Sequence, residues 1–305
     1  MRQGLALLAL AAVTLLTLGL DYGLGQLAFV ATWAIAGLGL VVILGQSGQI
    51  SLGHGAFLAV GAYLQAGWVA SGGPPLLGLV VAVAGGALLG ALASLPGRRL
   101  GGLAFGMSTL AVALIVEEAL VRFDGVTGGA SGLSVPPLSL AGWAVVEPLH
   151  QVGVSVAVLA LALLACRRLL NSRVGRAWRA VRDDEGAAAA SGVDTAHAKW
   201  LAFAVGGGLG ALAGALYAHW LGYLSPEQFG LQLSFELLML VFVGGASRLM
   251  GAVWGAVVIV ALPQAIALLR DVLPAGVANL AGLELLAFGL VLVAVVLWRP
   301  AGLVR

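Results

Sequence analysis

Apolar runs of helical length follow one another along almost the whole chain, separated by short polar joints. A helix needs roughly 20 apolar residues to cross the hydrocarbon of a bilayer, and on that rule about ten segments read as spans. They fall near 4–20, 27–45, 52–70, 76–95, 103–121, 151–166, 200–222, 233–247, 251–270 and 282–298. The expected fold is therefore all-α and polytopic, a single transmembrane domain over 1–305 with a long polar loop at about 167–199 and a second at about 122–150. Arg2 precedes the first run, and no small-x-small cleavage site follows before Asp21, so that run reads as a retained helix rather than a removed signal.

The polar joints carry the information. The 167–199 interval, RRLLNSRVGRAWRAVRDDEGAAAASGVDTAHAK, holds Arg167, Arg168, Arg173, Arg176, Arg179, Arg182 and Lys199, 7 of the 15 cations. Cationic loops between spans stay on the cytoplasmic side, so this loop orients the rest. Alternation then places Arg98, Arg99, Arg248 and both termini on the same side, and the 122–150 segment outside, where it is expected to carry an amphipathic or re-entrant piece. Locally the loop predicts two short helices. Asn171 or Ser172 can cap the first, which carries Arg176, Arg179 and Arg182, with Arg179 and Asp183 spaced as an i,i+4 pair. Asp183, Asp184 and Glu185 open the alanine run with negative charge at a helix N-terminus, and Gly192 supplies a left-handed stop. The result is a structured charged knob; the plainer alternative is a solvated loop that only fixes orientation.

A second joint differs in kind. GQSGQISLGHGAFLAVG at 45–61 sets Gln46, Ser47, Gln49, Ser51 and His54 among glycines, without a charge or a proline. Other inner loops carry arginine, and this one carries none. Irregular backbone at membrane depth is tolerated where it lines a polar cavity, so the segment is expected to be a broken helix lining a translocation path, the alternative being a tight polar turn. Glu117, Glu118 and Glu236 are acids within predicted spans, either functional or snorkelling to an interface.

Composition narrows the class. The chain is 61% hydrophobic and 9% charged, far below the charge content of a soluble domain, and offers no basic face for nucleic acid. Its 46 glycines suit helices packed closely through small residues, and the resemblance between 85–93 and 206–215 reflects that bias rather than a repeat. Cys166 stands alone and reads as an apolar filler. Four scattered histidines give no metal-ligand spacing, no cofactor motif is present, and the chain lacks a G-x-x-x-x-G-K-[ST] phosphate loop. An enzyme is therefore not expected.

Taken together, GQSGQISLGHGAFLAVGAY at 45–63, TGGASGL at 127–133, GRAWRAVRDDEGAAAASGVD with the following KWLAFAVGGGLGALAGALYAHWLGYLSPEQF, and SFELLMLVFVGGA at 234–246 resemble the M-type permease subunit of branched-chain amino-acid ABC importers. The resemblance implies import driven by other chains: a homologous permease, two cytoplasmic ATPases and a soluble substrate-binding protein outside, around a multi-pass subunit of a prokaryotic inner membrane. It also implies that the knob is an EAA-like segment docking on an ATPase, with Gly175, Arg176, Arg179, Arg182, Asp184, Glu185, Ala188 and Gly192 as coupling positions. Gln46, Gln49, Ser51, His54 and Glu236 are the candidates for the path. The family's GG-x-G-S-x-x-G-P motif is altered here, with Ala246 and Ala252 at a Gly and the Pro position. A urea or amide permease and an ion-coupled secondary carrier remain as alternative functions.

Overall fold

The computed structural model describes residues 20–98, 100–140, 142–270, 283–299 and 301–304. Nine of the ten predicted segments fall on helices, and the remaining one, 4–20, lies outside the described residues apart from Leu20. The helices are α1 (Leu20–Leu40, continued by a π turn Val41–Gln46), α2 (His54–Ala70), α3 (Pro75–Ala93), α4 (Gly102–Arg122) and α5 (Pro148–Leu170). After the knob helices α6 (Arg173–Asp183) and α7 (Glu185–Ala190) come α8 (Thr195–Leu221), α9 (Leu231–Gly244), α10 (Leu249–Arg270) and α11 (Leu283–Trp298). Seven helices among the described residues are long and apolar enough to cross a membrane.

Packing is uneven for a reason visible in the residues. In lipid, helices associate by close contact rather than by hydrophobic exclusion, so small residues mark the centre. The centre is α8, with Gly206, Gly207, Gly210, Ala211 and Gly214 buried along it. A β-carbon at Gly214 would collide with the Leu58 backbone of α2, and one at Gly90 of α3 with the Phe203 carbonyl. In α8, 67% of the most apolar window is buried, against 22% in α4 and 17% in α5, whose large side chains face outward.

Two of the helices that flank the centre, α2 and α9, are short. α9 has 14 residues, about 21 Å at 1.5 Å per residue, and begins below a 3-10 turn at Pro226–Phe229. α2 begins at His54, and its Gly55 amide donates to Ser234 Oγ of α9 at 3.0 Å. Both starts thus meet inside the bundle.

Among its described residues the 122–150 segment forms no amphipathic or re-entrant helix before α5 begins at Pro148. It forms helical turns at Asp124–Thr127 and Gly129–Ser131 and two antiparallel ladders of two residues each. Glycines with left-handed φ at 128, 129 and 132 break helix propagation here. The segment is pinned by His219, whose Nδ1–H donates to the Pro136 carbonyl at 2.8 Å, and by the Tyr223 hydroxyl, which donates to the Ser131 carbonyl at 2.7 Å. At the other end the knob, the 45–48 turn, the 95–98 turn, the α9–α10 turn and the tail 301–304 gather together. Among the described residues that grouping is the one charge alternation predicts; Arg2 and Arg99, assigned to the same side, lie outside them.

Candidate functional site

The 45–54 segment is broken as expected. α1 loosens into the π turn, whose amide bonds end with Ser47 N to Val42 O, Gly48 N to Leu44 O and Gln49 N to Ile43 O at 3.0–3.2 Å. Residues 47–53 are then non-helical until α2 starts. His54 Nε2 donates to the Ala36 carbonyl at 3.2 Å. Ala36 is ten residues before the end of the π turn, so the chain has climbed back about 15 Å alongside α1. Irregular backbone at such depth needs partners, and two helices supply them: Leu52 N donates to Thr109 Oγ1 of α4 at 2.9 Å, and Gly55 N to Ser234. Neither Thr109 nor Ser234 is predictable from a local pattern: Thr109 follows Ser108 within one apolar run, and Ser234 is a lone hydroxyl in another.

Gln46, Gln49, Ser51 and His54 are all buried. Gln46 Nε2 donates to the Ser247 carbonyl in the α9–α10 turn at 2.8 Å, and Gln49 Nε2 to the Ser47 carbonyl at 3.1 Å. Ser51 Oγ and His54 Nδ1 have no partner among the described residues. Because a carbonyl only accepts, the bond to Ala36 places the proton on Nε2 and leaves Nδ1 as an acceptor. The four residues form a ladder along the segment rather than a ring around one point. Glu236 stands apart: half-buried on α9, it accepts from Gln232 Nε2 at 3.0 Å and lies within electrostatic reach of Tyr217. Of the outer acids, Glu118 pairs with Arg122 at the exposed end of α4, and Glu117 faces the Gly230 backbone.

The knob is two capped helices. Ser172, not Asn171, caps α6 by accepting from Val174 N at 3.2 Å, and Asp184 caps α7 by accepting from Ala187 N at 2.9 Å. Gly192 has φ +83°, with Val193 N bonded back to Ala188 O, the left-handed ending predicted. α6 buries one stripe, Gly175, Trp178 and Val181, and Trp178 Nε1 donates to the Ala198 carbonyl of α8 at 2.8 Å. Arg176 and Glu185 are exposed.

The predicted Arg179–Asp183 pair does not form. Arg179 donates instead to the Leu170 carbonyl at 3.1 Å, one of the acceptors that the end of α5 leaves without an intrahelical partner, and Asp183 pairs with Arg182. Lys199, the only lysine, is buried, pairs with Glu185 and donates to the Gly97 carbonyl at 3.2 Å. Its solitude in the composition was the available signal for a special role.

One contact joins the two predicted regions. Arg182 Nη1 donates to the Gly45 carbonyl at 2.9 Å, and a β-carbon at Gly48, where φ is +71°, would stand 3.0 Å from Arg182 Cα. The knob therefore rests directly on the break in the helix. A β-carbon at Gly45 would collide with the Ala246 carbonyl, so the same turn is also wedged against α9–α10.

Comparison with known proteins places the chain in a family. The profile described as branched-chain amino acid transport system / permease component matches residues 23–297. The high-affinity branched-chain amino acid transport system permease protein LivM of Salmonella typhimurium is 32% identical over 304 residues, covering 89% of this chain and 67% of that protein. LivH of Escherichia coli is 24% identical over 251 residues, 75% of this chain and 80% of its own length. The autoinducer 2 import system permease protein LsrC of Salmonella paratyphi B is 30% identical over 156 residues, covering 48% of this chain and 41% of its own. No solved structure matches.

Proposed function

The chain belongs to the branched-chain amino-acid transport permease family, and from that membership we propose that it is one half of the membrane core of an ATP-binding-cassette importer for branched-chain amino acids. On this reading it is a multi-pass inner-membrane subunit with the knob and both termini in the cytoplasm. It pairs with a homologous permease, receives substrate from a soluble binding protein outside, and hydrolyses nothing itself; ATP is split by two cytoplasmic ATPases. The LivM relatives and the family profile favour branched-chain amino acids over urea or short amides.

The observation that carries the mechanism is the Arg182 bond to Gly45. ATPase closure has to reach the path as a displacement of a rigid body. The knob meets that need: Trp178 seats it on α8, Lys199 ties it to the 95–98 turn, and Arg179 ties it to α5. Its outward surface over 186–192 is built from small residues, a flat face for docking in an ATPase groove. Arg176, Asp184, Glu185, Gly175 and Gly192 shape that body, and Arg182 hands its movement to 45–48. The segment beyond holds Gln46, Gln49, Ser51 and His54 at the path, with Glu236 on the neighbouring helix. Movement of 45–54 during alternating access would give Ser51 Oγ and His54 Nδ1 the partners they lack in this arrangement.

The test is reconstitution with the partner permease, the ATPases and the binding protein, followed by uptake of labelled leucine with and without ATP. Uptake strictly dependent on ATP and on all partners supports the reading. Uptake by the chain alone, driven by a proton or sodium gradient, would overturn it and turn attention to Glu236.

A further inference from the structure

A second site lies on the outward side of the knob end. Between the last turns of α5 and the α9–α10 turn is an open cavity of about 780 Å³. Its polar lining is Arg167, Asn171 and Arg248; Leu163, Leu164 and Met250 form apolar wall. Both arginines are exposed, and neither guanidinium has an acceptor among the described residues.

Depth identifies the occupant. Arg167 is in the final turn of α5, and Leu163 and Leu164 are one turn further into the span, about 5 Å deeper. α5 is the least buried of the candidate spans, with Leu161 and Leu164 facing outward, so this side of the cavity opens to the acyl chains. A charged rim at headgroup level above an apolar wall fits a molecule that is itself anionic at one end and hydrocarbon at the other. A soluble partner could reach the arginines but not the leucines beneath them. Two guanidinium forks from different elements match the several oxygens of one phosphate diester better than a single carboxylate.

We propose that this cavity binds an anionic phospholipid of the knob-side leaflet, its phosphate between Arg167 and Arg248 and one acyl chain along Leu163 and Leu164. Arg248 follows Ser247, whose carbonyl holds Gln46. The lipid therefore ties α5 to the turn on which the broken segment leans.

The experiment uses the intact, delipidated protein in neutral detergent, without its transport partners, so that its result is independent of the transport reading. Native mass spectrometry against an equimolar mixture of phosphatidylglycerol and phosphatidylcholine is expected to retain the anionic lipid with roughly tenfold preference, the effect of one strong charge-assisted contact. Thermal stability should rise with phosphatidylglycerol and not with inorganic phosphate or soluble glycerophosphoglycerol. R167Q and R248Q should each lose most of that rise while melting as wild type without lipid. If either glutamine variant fails to fold, the wild-type lipid preference and R167K with R248K decide the matter. Equal retention of phosphatidylcholine, full protection by inorganic phosphate or soluble headgroup, or an undiminished response in a folded glutamine variant would each overturn the proposal.

Discussion

The knob and the broken segment meet at Arg182 and are built on opposite rules. Around α6 and α7 the anchoring polar groups are spent: Trp178 on Ala198, Arg179 on Leu170, Asp184 on its own helix, and Lys199 of the adjoining α8 on Glu185 and Gly97. In the 47–54 segment the buried Ser51 hydroxyl and His54 Nδ1 have no partner among the described residues. A buried polar atom without a partner costs about 1–3 kcal/mol, and Tyr63, Gln65, Ser155 and Trp220 elsewhere in the bundle each carry one as well. The contrast teaches where directed side-chain bonds concentrate. The knob is fastened at several points, to α5, to α8 and to the 95–98 turn, whereas the broken segment is held mainly through its backbone amides.

The largest expected effect comes from loosening the body. Trp178→Ala removes a fully buried indole and its bond to α8, a loss of about 3–5 kcal/mol by the usual cost of such truncations. ATPase co-purification and ATP-driven uptake should both fall below a tenth of wild type, while membrane insertion, read by glycosylation or cysteine accessibility, stays normal. Next, Gly45→Val drives a side chain into the Ala246 carbonyl and should depress uptake about as severely, yet leave ATPase co-purification intact, since the docking face is untouched. That difference between two crippled variants is the sharpest way to separate the regions.

Arg182→Gln should act between them. Loss of the Gly45 bond is expected to lower leucine uptake per ATP hydrolysed several-fold with docking preserved, whereas equal losses of docking and uptake would make Arg182 part of the docking face instead. Gly192→Val should be milder. Forcing a β-branched residue to φ +83° costs roughly 1–3 kcal/mol locally, with open space around it, and should weaken ATPase affinity more than turnover. Gln49→Leu is expected to give the smallest change, a few-fold shift in uptake kinetics without effect on ATPase docking; unaltered kinetics would remove Gln49 from the path.

Much of this was legible in the chain. Span positions follow from apolar length, the knob from its charge, and its capping and left-handed ending from Ser172 and Gly192, because caps and stops are local chemistry. The break at 47–53 was legible for the same reason: glutamines, serines and glycines without charge mark irregular backbone at depth. What escaped was long-range and directed at backbone carbonyls. Arg182 reaches a carbonyl 137 residues away, and Lys199 one 102 residues away, and a carbonyl carries no side-chain signature. Arg179 illustrates the competition: spacing favoured Asp183, but the guanidinium bonds the Leu170 carbonyl that the end of α5 leaves without an intrahelical partner. The depth at which α2 begins was hidden likewise, since it depends on Ser234 and Thr109 arriving from other helices.

The most direct test of the account is leucine uptake per ATP hydrolysed by the fully reconstituted complex, wild type against Arg182→Gln, with ATPase content checked in the same vesicles. If Arg182 couples the knob to the broken segment, ATPase content is unchanged, ATP hydrolysis continues, and uptake per ATP falls several-fold. An unchanged ratio in the variant, or leucine uptake that persists without ATP, would contradict it.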